Sequence, residues 1–201
     1  MKKGLPVLLS ILLCASCACA ESTEETMVEL PPTDTHILIA CFSCTGNTWR
    51  LAEYAAQVLN ADLFRIEPET SYTDSDLNYH DDNCRANREM ADDTCRPALK
   101  SLVDNMAQYD TVLLASPTWW GQAPRIMETF IESHDLSGKT LLHFSTSGGS
   151  GYGNTGNILA ALTDGSVRWL EGARLSSDMT ADEMAAWLDE KGIVPDVTLS
   201  K

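Results

Sequence analysis

Ser43-Cys44-Thr45-Gly46-Asn47-Thr48 is a run of small polar residues around one glycine, and its chemistry is anion binding. The hydroxyls of Ser43, Thr45 and Thr48 can donate to phosphate oxygens. Gly46 lets the backbone turn so that amides converge, and a helix starting here adds the positive potential of its free N–H groups. The run has no lysine, so it is not the triphosphate loop G-x-x-x-x-G-K-[ST]. A cradle of neutral donors suits one terminal monophosphate. The plainer reading is a helix N-cap with a glycine turn, and this run alone does not choose between the two.

Two further runs carry chemistry. In Pro117-Thr118-Trp119-Trp120-Gly121-Gln122-Ala123-Pro124, two adjacent indoles are costly to leave in water. Their faces offer stacking area for a flat ring, worth about 0.5–1.5 kcal/mol per aromatic pair beyond burial. The alternative use is packing back on the core, which one of the two can do. In Thr146-Ser147-Gly148-Gly149-Ser150-Gly151-Tyr152-Gly153, four glycines are read as serving close backbone approach to a ligand edge rather than packing. A flexible linker is the competing use, but one inside a compact strand–helix unit is uncommon.

Rival motifs are weaker. Gly151-Tyr152-Gly153-Asn154-Thr155-Gly156 spells G-x-G-x-x-G, with Glu171 20 residues past Gly151. The dinucleotide fingerprint belongs in a first strand–helix turn, whereas this one follows a fourth strand. A hydrolase elbow G-x-S-x-G is missing, since Tyr152 stands where its second glycine is required. Cys41-Phe42-Ser43-Cys44 has CxxC spacing, but Cys41 falls inside an apolar strand and reads as core. Cys84 and Cys95 lie in a polar region; on one unbroken helix they would be about 16 Å apart, so pairing needs a break between them. His36, His80, His134 and His143 share no metal-ligand spacing.

The elements that would position these loops alternate between strand and helix. Apolar runs at His36–Phe42, Ala61–Ile66, Asp110–Ser116, Thr140–Thr146 and Val167–Leu175 read as buried parallel strands. Helical spacing appears at Thr48–Leu59, through Leu51, Tyr54, Ala55 and Val58, and at Pro124–Ser133 and Asn154–Leu162. Pro97 is expected to open a helix reaching about Ala107. Thr180 and Glu183 predict a capping box on a helix ending at Lys191. Residues Glu67–Thr94, polar and with Tyr72 and Tyr79 among carboxylates, read as a long insertion holding one short helix. Five strands alternating with helices predict an α/β fold, a parallel sheet covered on both faces, with ligands bound beyond the strands' carboxyl ends.

The 201-residue chain has a net charge of -15, which argues against nucleic acid and anionic lipid surfaces as partners. Lys2, Lys3, the apolar run Leu5–Leu13 and the small residues Ala18-Cys19-Ala20 predict a signal peptide over residues 1–20, cleaved before Glu21. The run is too short to span a bilayer comfortably, so no transmembrane span is expected in the mature chain. Lipidation at Cys17 is the second possibility, giving a membrane-anchored lipoprotein instead of a secreted protein. Residues 21–35, acidic and containing Pro31-Pro32, suit a disordered spacer. The domain would then cover 36–195, with 196–201 as a tail.

The three loops in order resemble the cofactor loops of bacterial flavodoxin-like proteins that bind flavin mononucleotide (FMN). The segment from Arg85-Ala86-Asn87-Arg88-Glu89 to Arg96-Pro97-Ala98-Leu99 is also similar to that group, and the resemblance runs from about His36 to Gly192. It implies a flavodoxin-like three-layer sandwich with strand order 2-1-3-4-5 and noncovalent FMN used in electron transfer. It implies that Ser43, Thr45, Asn47 and Thr48 hold the phosphate. Pro117, Thr118, Trp119 and Trp120 would line the ring, one indole stacked on it, with Gly121 closing the turn. Ser147, Gly148, Gly149, Ser150 and Gly151 would reach its polar edge, beyond Thr146. Cys44 departs from the non-thiol residue expected there. Three uses stay open: a carrier docking on a redox partner protein, a reductase taking hydride from NAD(P)H to a quinone or similar small acceptor, or a flavin-free, surface-tethered binding protein.

Overall fold

The computed structural model describes residues 36–193; the expected signal peptide, the Cys17 anchor, the spacer and the tail lie outside the described residues. Strand β1 (Ile37–Cys41) is the hub of a parallel sheet. It is paired on one side with β2 (Asp62–Arg65) and on the other with β3 (Thr111–Pro117). Beyond β3 lies β4 (Thr140–Thr146), and the fifth position completes the order 2-1-3-4-5. The fifth position is not the single strand expected over Val167–Leu175. It is split into β5 (Arg168–Trp169) and β6 (Ala173–Leu175), both paired with β4. The break falls at Gly172, where a Cβ would sit 2.2 Å from both the His143 carbonyl oxygen and the Tyr152 hydroxyl.

Side-chain alternation along each strand makes two cores. Leu38, Ala40, Val112, Leu114 and Leu141 face one side and pack on Ile126, Met127, Phe130 and Leu159 from α3 (Arg125–Glu132) and α4 (Thr155–Ala160). Ile37, Ile39, Cys41, Leu113, Leu142 and Phe144 face the other side and meet Leu51, Ala55, Leu59, Met184 and Leu188 from α1 (Asn47–Leu59) and α5 (Ala181–Glu190). The capping box at the start of α5 forms, with Glu183 N–H donating to Thr180 Oγ1 and Thr180 N–H to Glu183.

The insertion after β2 contains its one short helix, α2 (Arg85–Ala91). The helix expected from Pro97 does not form. Leu99 instead bridges Pro68, Lys100 N–H donates to Glu67 O, and Glu69 N–H donates to Ala98 O. Pairing with the segment after β2 takes the amides and carbonyls that a helix would need, and only a 3₁₀ turn at Met106–Gln108 remains. Among the described residues no helix is long and apolar enough to cross a membrane.

Candidate functional site

The carboxyl ends of β1, β3 and β4 lie side by side, and the loops leaving them enclose a cleft of about 690 Å³. That volume lies within the range of small-molecule sites, roughly 300–1,000 Å³. Ser43, Cys44, Thr45, Asn47 and Thr48 line it from the first loop, Pro117 to Trp120 from the second, and Thr146 to Ser150 from the third. Gly46, Gly121 and Gly151 do not line it. Gly46 (φ 89°) and Gly121 (φ 78°) supply left-handed turns behind the wall.

The first loop leaves its donors free. Gly46 occupies the N-cap position of α1, where no side chain caps the helix, and the first turn carries no acidic residue. Ser43 Oγ accepts from the Gly46 amide at 3.2 Å. The amides of Cys44, Thr45, Asn47, Thr48 and Trp49 have no protein acceptor among the described residues. This contrasts with α5, whose first turn is acidic and fills its own end. In a chain of net charge -15, an uncapped helix start with no acidic residue in its first turn is a place for an anion. Thr48 is 1% exposed, and its Oγ1 shares a 2.8 Å hydrogen bond with Thr146 Oγ1, which ties the first loop to the end of β4.

The two indoles separate. Trp119 packs back, edge-on, against Phe42 (5.6 Å between centroids) and Tyr72 (5.4 Å). Trp120 is 51% exposed at the cleft. Positive φ at Trp120 (49°) and Gly121 (78°), closed by Trp119 N–H to Gln122 O and Gln122 N–H to Trp119 O, makes a tight hairpin turn. Thr118 fixes its base, donating from N–H to Thr146 O and from Oγ1 to Ser145 Oγ.

The third loop folds on Ser147, whose Oγ accepts from the amides of Gly149 (3.2 Å) and Ser150 (2.8 Å). The amides of Gly148 and Gly151 find no protein acceptor among the described residues. Open space surrounds Gly148, Gly149 and Gly151. Gly153 corrects the expectation that all four glycines serve ligand approach: its Cβ would sit 2.1 Å from Gly121 O, so it packs the third loop against the second.

Leu77, Tyr79, Ala86 and Ser177 also line the cleft and escaped the sequence reading. Ser177 follows the end of β6, and the rule placing ligands beyond strand ends would have found it. The insertion supplies the other three, and charged staples hold it in place. Arg85 stacks over Tyr72 at 4.0 Å, pairs with Glu89 and donates to Thr70 O; Tyr72 OH donates to Glu89. Arg125, 3% exposed, pairs with Glu128 at 2.7 Å and with Asp93, and donates to Met90 O at 3.1 Å. Arg96 pairs with Glu128 at 2.9 Å and Glu132 at 2.7 Å. Cys44 lies near Arg85 and Glu89; crowding by protein atoms pushes its thiol up to about 11, outweighing the Arg85 charge. Burial pushes the Cys41 thiol higher still. Neither is a reactive thiolate of the CxxC kind. All four described cysteines are free, Cys84 and Cys95 included. Among the described residues no acidic, His or Cys cluster could hold a metal.

A five-position parallel sheet with a cleft of hydroxyls, free amides and an exposed indole at its switch point defines a nucleotide-type cofactor protein of the doubly wound class. The flavodoxin family profile matches residues 36–191, and the chain belongs to that family. FMN is the cofactor this membership supports. The chain is similar to a protein of Bacteroides eggerthii inferred to be a flavoprotein, at 41% identity over 80% of this chain and 99% of that one, with a TM-score of 0.74. A second, from Bacteroides uniformis, gives 37% identity, 77% and 98% coverage, and 0.73. A Lactobacillus acidophilus flavoprotein solved in complex with FMN shares the fold at 20% identity, 70% and 93% coverage, and 0.58. No curated protein matches.

Proposed function

We propose that the cleft holds one FMN and that the chain is an extracytoplasmic electron carrier docking on a redox partner protein. The uncapped start of α1, with its free amides beside Ser43 and Thr45, carries the reading: it fits a terminal phosphate that no side chain of this protein replaces. Bound there, FMN supplies the redox chemistry. The protein's own residues do the rest. The free amides of Cys44, Thr45, Asn47, Thr48 and Trp49 orient the phosphate; Trp120 gives the ring a face; Trp119 closes the cleft floor on Phe42 and Tyr72. The rim residues Trp120 and Tyr79, 51% and 65% exposed, leave that edge open to a partner surface. The acidic charge suits a partner with a basic patch. The export reading rests on Lys2, Lys3, Leu5–Leu13 and Ala18-Cys19-Ala20.

The test is to add FMN to the pure chain, then NADH or NADPH. A stable yellow protein with no turnover is the expected result. Steady NAD(P)H oxidation would replace the carrier with a reductase of quinones or similar acceptors. A colourless protein would leave a flavin-free binding module.

A further inference from the structure

Behind the second and third loops lies a polar chain, Ser116, His143 and Tyr152, that does not line the cleft. His143 sits on β4 with no exposed surface. Its Nε2 is 3.0 Å from Ser116 Oγ, and its Nδ1 is 3.1 Å from Tyr152 OH. Ser116 Oγ in turn lies 3.1 Å from the carbonyl oxygen of Pro117, a residue of the cleft wall. Tyr152 leaves the glycine-rich loop and turns inward. The absent side chain of Gly172 makes room for its hydroxyl, which a Cβ there would approach to 2.2 Å. The split of the fifth strand position is therefore the space this tyrosine uses.

Counting hydrogens gives the chain a direction. With the single Ser116 hydroxyl hydrogen given to Pro117 O, Ser116 Oγ accepts from His143 Nε2–H. Nδ1 is then bare and accepts the Tyr152 proton. The reverse order would leave Pro117 O without this donor and put the Tyr152 proton on His143 O at 3.5 Å, a poorer contact than the 3.1 Å it makes to Nδ1. Burial keeps both titratable groups in these forms, with His143 held down to about 3 and Tyr152 pushed up to about 12.

We propose that Tyr152, His143 and Ser116 form one strut, locked in the Nε2–H tautomer of His143, that fixes the Pro117 loop and the glycine-rich loop in ligand-ready positions before FMN arrives. The identity of the ligand rests on the flavin reading; the strut is a property of the free protein. Preorganised loops lower the ordering cost of binding, and a fully satisfied buried network specifies one arrangement.

The test compares the natural chain with Tyr152→Phe, Ser116→Ala and the double variant. Nitrogen NMR of the free natural chain should show His143 as the Nε2–H tautomer. Hydrogen exchange at the Thr118 and Ser150 amides, which donate to Thr146 O and Ser147 Oγ, should quicken roughly tenfold in each single variant, in line with about 1.4 kcal/mol per tenfold change. FMN affinity should fall by a similar factor while affinity for inorganic phosphate, which needs only the first loop, is kept. The double variant should be no worse than the more damaging single, because one strut can be broken only once. An Nδ1–H tautomer, single effects that multiply, or parallel loss of phosphate and FMN affinity would each overturn the strut. A natural chain that takes up no FMN contradicts the flavin reading alone; the tautomer and exchange measurements still decide the strut.

Discussion

Trp119 and Trp120 are neighbours in sequence with opposite duties. Trp119 is wedged among Phe42 and Tyr72, while Trp120 is held outward by a turn in which it and Gly121 both take positive φ. Trp119→Ala should therefore act on stability, lowering it by roughly 3 kcal/mol as large-to-small core changes do. Trp120→Ala should leave the thermal midpoint nearly unchanged and weaken FMN about fivefold, the size of one aromatic pair. Thermal unfolding and fluorescence titration separate the two, and equal effects on both readouts would contradict the division. The sequence showed the indoles as a pair and could not rank them, because the choice depends on Phe42 and Tyr72, which lie far away along the chain. For the same reason Gly153 passed as a ligand-approach glycine: its neighbour is Gly121, reached only through the fold. Thr48 likewise turns to Thr146, a partner 98 residues on.

At the scale of elements, strands and long helices were legible because burial imposes a period on them. Two elements were not. The helix expected after Pro97 lost its amides to the segment after β2, a long-range competition that a local start signal does not register. The single fifth strand was interrupted by a tyrosine from another loop. The insertion supplies Leu77, Tyr79 and Ala86 to the cleft, and its attachment to α3 runs through buried Arg125. Arg125→Ala should cost about 1.5–3 kcal/mol, since buried Glu128 keeps Arg96 but loses its nearer partner and Met90 O loses its donor; urea unfolding measures it. His134 makes a second attachment. Its Nε2 accepts from Val103 N–H at 3.0 Å while Nδ1–H donates to Phe130 O at 2.7 Å, so the ring must be neutral. Burial lowers its pKa below the ordinary 6.5. A base depressed in the fold contributes its stability above the unfolded pKa and loses it as pH falls through 6.5 and below. Stability should decline as pH falls below 6.5, and His134→Gln, which keeps an acceptor, should flatten part of that decline. An unchanged slope in the variant would remove His134 as a cause.

The whole molecule is an acidic body with one neutral, donor-rich cleft. Its charge of -15 should disfavour added negative charge on a bound ring and lower the FMN potential. Salt screens such effects within roughly 10 Å at 0.1 M, so the potential should rise as salt is added; equal values at low and high salt would discard the charge as the cause. The strand order came with the resemblance of the three loops; fold class could be read from the chain because alternating buried strands and helices leave few topologies. The cleft's far wall could not, because a polar insertion shows no period that would say where its Leu77 and Tyr79 come to rest. The central claim is that a phosphate seated on the uncapped start of α1 anchors a flat ring beside Trp120. Parallel titrations of the free protein with FMN and with riboflavin, which lacks the phosphate, test it most directly. The account predicts one FMN per chain with quenching of tryptophan emission, and affinity for riboflavin at least a hundredfold weaker, since charge-assisted hydrogen bonds contribute about 1.5–3 kcal/mol each. Equal affinities for the two, or uptake of neither, would contradict it.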